Sequence, residues 1–353
     1  MPLYGALTFF ILLFILSFGA DYTSKKYQKQ FLIVLYCICV YAIGSRTWYL
    51  WIDTAYYYGS FLYSTNDLFS FSFSDPHLGY SEDGYYLLCV IAKTISSNPQ
   101  FYLYFIGAIS MFFIFKSLWK YSPLPVLGLF IYVARFMMGR DMNQMRGGVA
   151  IGIVILATVY CTEQKFWKYL FTIIVAYFIH RSALVALPLY FMNKVNITRK
   201  HIYWGMAAAF LIAGVFGGLI KDIIGSIGFI QNIAGSYVQE GSVKAWSNDL
   251  SNPMIYFQGF ILVAFTMMEK QIAPLSNHYY TLRNGYFYSF LLLTILCQYG
   301  VVAGRTSTIF ATFEMIIYPL IIVGWDKKSR WMPYIWILVA MIYFFISKYH
   351  GGE

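Results

Sequence analysis

The sequence predicts an all-α, polytopic integral membrane protein, and three observations carry that prediction. Of 353 residues, 59% are hydrophobic and only 11% are charged, more apolar surface than a soluble chain of this size buries. Several apolar runs reach the roughly 17–20 residues that cross a bilayer as helix. The basic residues between those runs are sorted by side, as membrane topology requires.

In chain order the expected spans are residues 3–20, 30–44, 101–119, 124–138, 147–161, 166–191 (broken at His180), 202–222, 254–268, 285–303, 308–324 and 331–347. That gives 10–12 transmembrane helices in a single transmembrane domain over residues 1–353. Residues 3–20 have no basic n-region and no small-residue cleavage site, so they read as a first span rather than a removable signal. Residues 85–95 are apolar but short, which suits a re-entrant or interfacial segment. Two long loops stand out, 45–84 and 225–252, both rich in Ser, Gly, Asn and Tyr. Loops of that length are often functional.

Fifteen of the twenty-five basic residues, twelve of them lysine, fall in one set of loops, which marks that side as cytoplasmic. The parity holds if 85–95 does not cross and if 166–191 is a broken or hairpin element. Six of the nine arginines lie toward the opposite, periplasmic side, with only four of the sixteen lysines. Topology alone does not sort arginine from lysine. A guanidinium binds phosphate or carboxylate oxygens bidentately and tolerates partial burial, whereas an ammonium is a hydrated point charge. The sorting points to an anionic ligand on the outer side.

Cys37, Cys39, Cys89, Cys161 and Cys297 form no CxxC pair and lie in or beside apolar runs, so they read as small buried hydrophobes. No basic soluble domain exists to hold a nucleic acid. There is no D-x-D, Walker A loop, G-x-S-x-G or H-E-x-x-H, so neither soluble activated sugar donors nor ATP hydrolysis is supported.

Polar groups inside or at the ends of the apolar runs are costly to keep there and mark the candidate site. Arg46, Asp53 and Tyr57 would share one face if helical, either at a cavity mouth or as an interfacial anchor. Glu82 and Asp83 precede an apolar segment, as helix N-terminal acids or as site carboxylates. Arg135, Arg140 and Arg146 surround Asp141, and Gly147 and Gly148 open the next helix, where backbone amides would add to an anion site. His180, Arg181 and Ser182 sit between two apolar runs. Arg305 precedes Glu314, as a structural pair or as a further anion ligand.

These motifs together resemble the EpsG-type family of O-antigen and exopolysaccharide polymerases (Wzy-like). The residues are Arg46 with Asp53, Thr54 and Tyr57; Glu82, Gly84 and Tyr85; Arg146; His180 with Ser182, Ala183, Leu184 and Pro188; and Arg305 with Phe310 and Pro319, spread over about residues 45–320. The resemblance implies a GT-C-like, metal-independent membrane glycosyltransferase of the bacterial inner membrane, with no cofactor. Such an enzyme transfers a growing glycan from undecaprenyl diphosphate to the terminal sugar of an incoming lipid-linked repeat unit at the periplasmic face, and works with a chain-length-determining co-polymerase. On that reading Arg46, Arg140, Arg146 and Arg305 hold the diphosphate, and His180 is the base. Asp53 and Glu82 replace it as base if burial raises their pKa. Tyr57, Tyr85 and Trp246 stack on sugars. A lipid-linked oligosaccharide flippase or an O-antigen ligase is the alternative.

Overall fold

The structure, a computed structural model, describes residues 3–70, 72, 82–226 and 249–350. All regular structure among the described residues is helical, as the sequence predicts. The helices are α1 (Leu3–Ala20), α2 (Lys25–Gly44), α3 (Ile52–Tyr63), α4 (Asp83–Ile95), α5 (Pro99–Tyr121), α6 (Pro125–Tyr132), α7 (Met138–Arg140), α8 (Met145–Thr162), α9 (Phe166–Ile179) and α10 (Pro188–Met192). They continue with α11 (Arg199–Ser226), α12 (Pro253–Met267), α13 (Glu269–Ile272), α14 (Tyr279–Ile295), α15 (Gly300–Ala311), α16 (Glu314–Gly324) and α17 (Trp331–His350). Among the described residues five helices are long and apolar enough to cross a membrane, six if α15 and α16 count as one span, with four shorter apolar segments besides.

The chain divides into two compact units. The first comprises Met1–Ala157, Phe171–Ala183 and Glu314–Glu353. Its apolar core is aromatic: Phe10 stacks on Phe130 at 4.3 Å and on Phe345 at 4.4 Å between ring centroids. Helix starts follow their local chemistry. Asn98 caps α5 through the Gln100 amide at 2.9 Å, with Pro99 in the first turn. The start of α6 is capped from far away: both carboxylate oxygens of Asp21 accept from the Val126 and Leu127 amides at 2.9 and 2.8 Å. Between α6 and α7, Val133–Met137 form a π-helical turn, which rotates the residues beyond it against those before.

The loop over 45–84 is more ordered than its composition suggests. It holds α3 and two short 3₁₀ turns, Trp48–Leu50 and Leu68–Ser70. Arg46 therefore lies in the turn after α2, not on a helix with Asp53. The shared face survives for Asp53 and Tyr57, one turn apart on α3. The short apolar segment is α4, which buries Tyr85, Tyr86, Cys89, Val90 and Ala92. Most of the second loop, including Trp246, lies outside the described residues.

The second unit comprises Thr158–Leu170 and Leu184–Phe313. Arg199 and Arg283 converge on Glu269 at 2.9 and 3.1 Å. Residues 166–191 double back as a hairpin, whose ends, 166–170 and 184–191, belong to this unit and whose middle, Phe171–Ala183, belongs to the first. The Tyr169 hydroxyl donates to the Ala186 carbonyl at 2.7 Å, and the Tyr190 hydroxyl to that of Gln164 at 3.0 Å. Phe166 and Phe191 meet at 5.9 Å. Helix α9 ends at Ile179, and a 3₁₀ stretch, Arg181–Ala186, starts the return. The expected break at His180 is present, and it is the apex of the hairpin. Four cysteines are buried as expected; Cys37 is exposed on α2, facing outward from the protein like its neighbour Ile38.

Candidate active site

The centre of the first unit's polar cluster is Glu82, the N-cap residue of α4. Its Oε2 accepts from Arg146 Nη1, in a pair with both side chains about nine-tenths buried. Its Oε1 takes His180 Nδ1 at 2.9 Å and the Arg181 backbone amide at 3.3 Å. Arg146 opens α8, and its Nε donates to the Tyr57 hydroxyl at 3.3 Å. Three distant segments thus meet on one carboxylate.

Local sequence explains the meeting. Gly84 lets the start of α4 lie against the end of α9: a Cβ there would stand 2.8 Å from the Phe178 carbonyl oxygen. The helix break at His180 then turns the imidazole and the Arg181 amide toward Glu82. On the other side, the N-terminus of α3 docks on the turn before α8. The Asp53 amide donates to Asn143 Oδ1 at 3.0 Å, and the Thr54 hydroxyl to the Met142 carbonyl at 2.7 Å. That register carries Tyr57 to Arg146.

Burial alone would raise the Glu82 pKa, but the hydrogen bond from His180 and the charges of His180 and Arg146 outweigh it and hold the carboxyl at about 2. The condition for Glu82 to act as base, a raised pKa, is not met. Tyr85 and Tyr102 hydroxyls pair at 2.5 Å, and Tyr57 lies 5.5 Å from Tyr85, centroid to centroid. Tyr57 and Tyr85 are 3% and 0% exposed; in this arrangement the Tyr57 hydroxyl is taken up by Arg146 and that of Tyr85 by Tyr102.

The model of the EpsG family matches residues 29–352. The chain belongs to the EpsG family. An amylovoran biosynthesis protein, AmsC of Erwinia amylovora, is 22% identical over 251 residues, covering 67% of this chain and 64% of that protein. No solved structure matches.

The EpsG chain brings further charges together in the same unit. Arg46 is buried at the end of α2, with the Tyr85 and Tyr102 phenols and the Asp141 carboxylate in electrostatic range. Burial pulls its pKa down to about 10, against those groups. Asp141 accepts from Ser110 and, at 2.7 Å, from Tyr132. Buried Arg140 lies 4.7 Å from the Phe136 ring. Arg135 grips Glu314 with Nε and Nη2 at 2.8 and 3.1 Å, so the acid that the sequence set beside Arg305 has both oxygens on another arginine. Lys348 donates to the Arg135 carbonyl. The Gly148 amide is taken by the Gln144 carbonyl at 3.0 Å inside α8, so it does not serve an anion site. Arg305 belongs to the second unit. Among the described residues no cluster of His, Cys, Asp and Glu forms a metal site.

Of the residues singled out in the sequence, Glu82, Arg146, His180 and Tyr57 lie together; sequence reasoning gave no sign of the groups that hold them. It missed Tyr102, Ser110 and Asn143, which hold those residues or their neighbours. A hydroxyl such as Ser110 in the middle of an apolar run was a usable signal, because a buried polar side chain needs a partner.

Proposed function

We propose that this protein is a membrane polysaccharide polymerase. It transfers a growing glycan from undecaprenyl diphosphate to the terminal sugar of an incoming lipid-linked repeat unit, at the periplasmic face of a bacterial inner membrane. The observation that carries this reading is the Glu82 carboxylate holding Arg146 and His180 in one partly buried cluster. Family membership and the likeness to an exopolysaccharide biosynthesis protein support it.

Glycosyl transfer from a lipid diphosphate needs a base for the attacking hydroxyl and positive charge for the departing diphosphate. An ionised Glu82 accepts the Nδ1 proton of His180, which leaves the Nε2 lone pair as the base. When Nε2 takes the hydroxyl proton, the same carboxylate stabilises the imidazolium. Asp53 stays the alternative base, beside the turn that leads to Arg146. The diphosphate falls to Arg46 and Arg140, whose guanidinium groups are already charged and need no proton transfer, while Arg146 holds the Glu82 carboxylate. The partners are the lipid-linked oligosaccharide, the bilayer and a separate chain-length co-polymerase.

His180→Ala and Arg146→Ala are expected to leave the protein in the membrane and cut chain growth by about 10²-fold or more. A strain relying on either variant then displays glycan as single repeat units, seen as loss of the high-molecular-weight ladder on a gel. Long chains in both variants would overturn the assignment. Loss of all surface glycan, single units included, would point to a flippase.

A further inference from the structure

We infer that the phosphate fork of this site is the Nε–Nη2 edge of Arg46, and that Arg146 positions the Glu82–His180 pair without touching phosphate. The inference rests on the glycosyl-transfer reading above and divides its arginines by task.

The geometry of Arg46 is set by its own helix. Nη1 donates to the Ile43 carbonyl in the last turn of α2, where a cation is favoured by the helix dipole. Gln100 on α5 pins the same turn through the Gly44 and Arg46 carbonyls. One edge of the guanidinium is thereby fixed, and the opposite edge is held in one orientation. Its two atoms, Nε and Nη2, are buried and make no hydrogen bond among the described residues, in a side chain whose residue is 8% exposed. Buried donors on a charged group are costly to leave unmet.

The same chain shows what that edge does when it has a partner. Arg135 uses its own Nε and Nη2 to take the two oxygens of Glu314. A phosphate offers the same pair of oxygens at the same spacing. The charge around Arg46 also suits an anion. Asp141 accepts hydroxyls from Ser110 and Tyr132 and lies in electrostatic range of both Arg46 and Arg140. Arg146 is in the reverse position. Its Nη1 and Nε are engaged by Glu82 and Tyr57, so a phosphate there would have to displace an ionised carboxylate. The ligand chemistry is a phosphate or diphosphate ester, free or at the head of a lipid.

The test uses full-length protein in nanodiscs of neutral phosphatidylcholine, titrated by calorimetry with inorganic diphosphate in one arm and farnesyl diphosphate in the other. Arg46→Lys keeps the charge and removes the fork. It is expected to weaken binding about tenfold or more, the worth of charge-assisted hydrogen bonds. Arg146→Lys is expected to change binding by less than about threefold while abolishing chain growth. Weakening confined to farnesyl diphosphate supports the fork and identifies a lipid headgroup; weakening confined to inorganic diphosphate supports it with a free ligand. Unchanged binding of both in Arg46→Lys, or loss of binding in Arg146→Lys, overturns it. If Arg46→Lys does not fold, phenylglyoxal labelling of the wild type takes its place: diphosphate should protect Arg46, and failure to protect overturns the inference. Binding lost in Arg46→Lys, together with normal chain length in the Arg146 and His180 variants, keeps the fork and removes the polymerase reading.

Discussion

At the residue scale, Glu82 decides the state of its neighbours. Its folded pKa lies below that of a free glutamate, so its contribution is fully present above pH 4.5 and is lost as pH falls through about 2. The gap corresponds to roughly 3–4 kcal/mol, since one pH unit is worth about 1.4. Thermal unfolding of the wild type is therefore expected to lose stability between pH 4.5 and 2, and Glu82→Gln to lack that component. The same substitution should lower chain growth without removing His180, because the imidazole loses the carboxylate that orients it. Arg135 and Glu314 are a second residue-scale case, with side chains 7% and 0% exposed. Arg135→Ala alone is expected to cost about 3–5 kcal/mol by taking the bidentate guanidinium from a buried carboxylate, while a double change to Arg135→Met with Glu314→Leu should cost far less. Thermal unfolding in detergent separates the two outcomes.

At the element scale, the site depends on where α4, α8 and α9 begin and end. Gly84→Ala tests this without touching a charge. Its Cβ would stand 2.8 Å from the Phe178 oxygen and 2.9 Å from its carbon, both backbone atoms that do not move aside cheaply. The start of α4 must shift away from the hairpin apex, so Glu82 and His180 separate. The expected result is loss of chain growth comparable with His180→Ala, about 10²-fold, in protein that still reaches the membrane. Wild-type chain length in Gly84→Ala would show that the contact is not needed. Much of this scale was legible in the sequence. The polar trio at His180–Ser182 between apolar runs announced a break, and Glu82 ahead of an apolar segment announced a helix start. Less was legible where pairing is decided by packing. Arg135 and Glu314 are 179 residues apart, and no periodicity links them. Arg46 and Asp53 were set on one face by spacing alone, and a 3₁₀ turn between them breaks that register. Tyr57 and Tyr85 are given a sugar role by the resemblance, and packing, which spacing does not show, leaves them 3% and 0% exposed.

At the scale of the whole molecule, the hairpin makes the charge sorting consistent. Its two limbs end near Lys165 and Lys194, both in the lysine-rich set of loops. Lys165→Cys and Lys194→Cys, in a background without the native cysteines, are expected to react with a membrane-impermeant maleimide only after the inner membrane is breached. Labelling of one from outside and the other from inside would make residues 166–191 a true crossing and reverse the sidedness of everything after it. The sequence supplied the fold class at this scale because composition alone demands a membrane. It did not divide the chain into two units, since no linker, repeat or change in composition marks Ala157 or Phe313.

The hairpin also orders assembly in time. A chain is made from its N-terminus, so Glu82 leaves the ribosome first, Arg146 follows 64 residues later, and His180 comes 98 residues after Glu82. The acid and the guanidinium can therefore neutralise one another inside the nascent protein before His180 is made. A chain released just before residue 166 would carry a closed ion pair and lack the imidazole that completes it. Function arrives only when the last of the three partners is lowered into place.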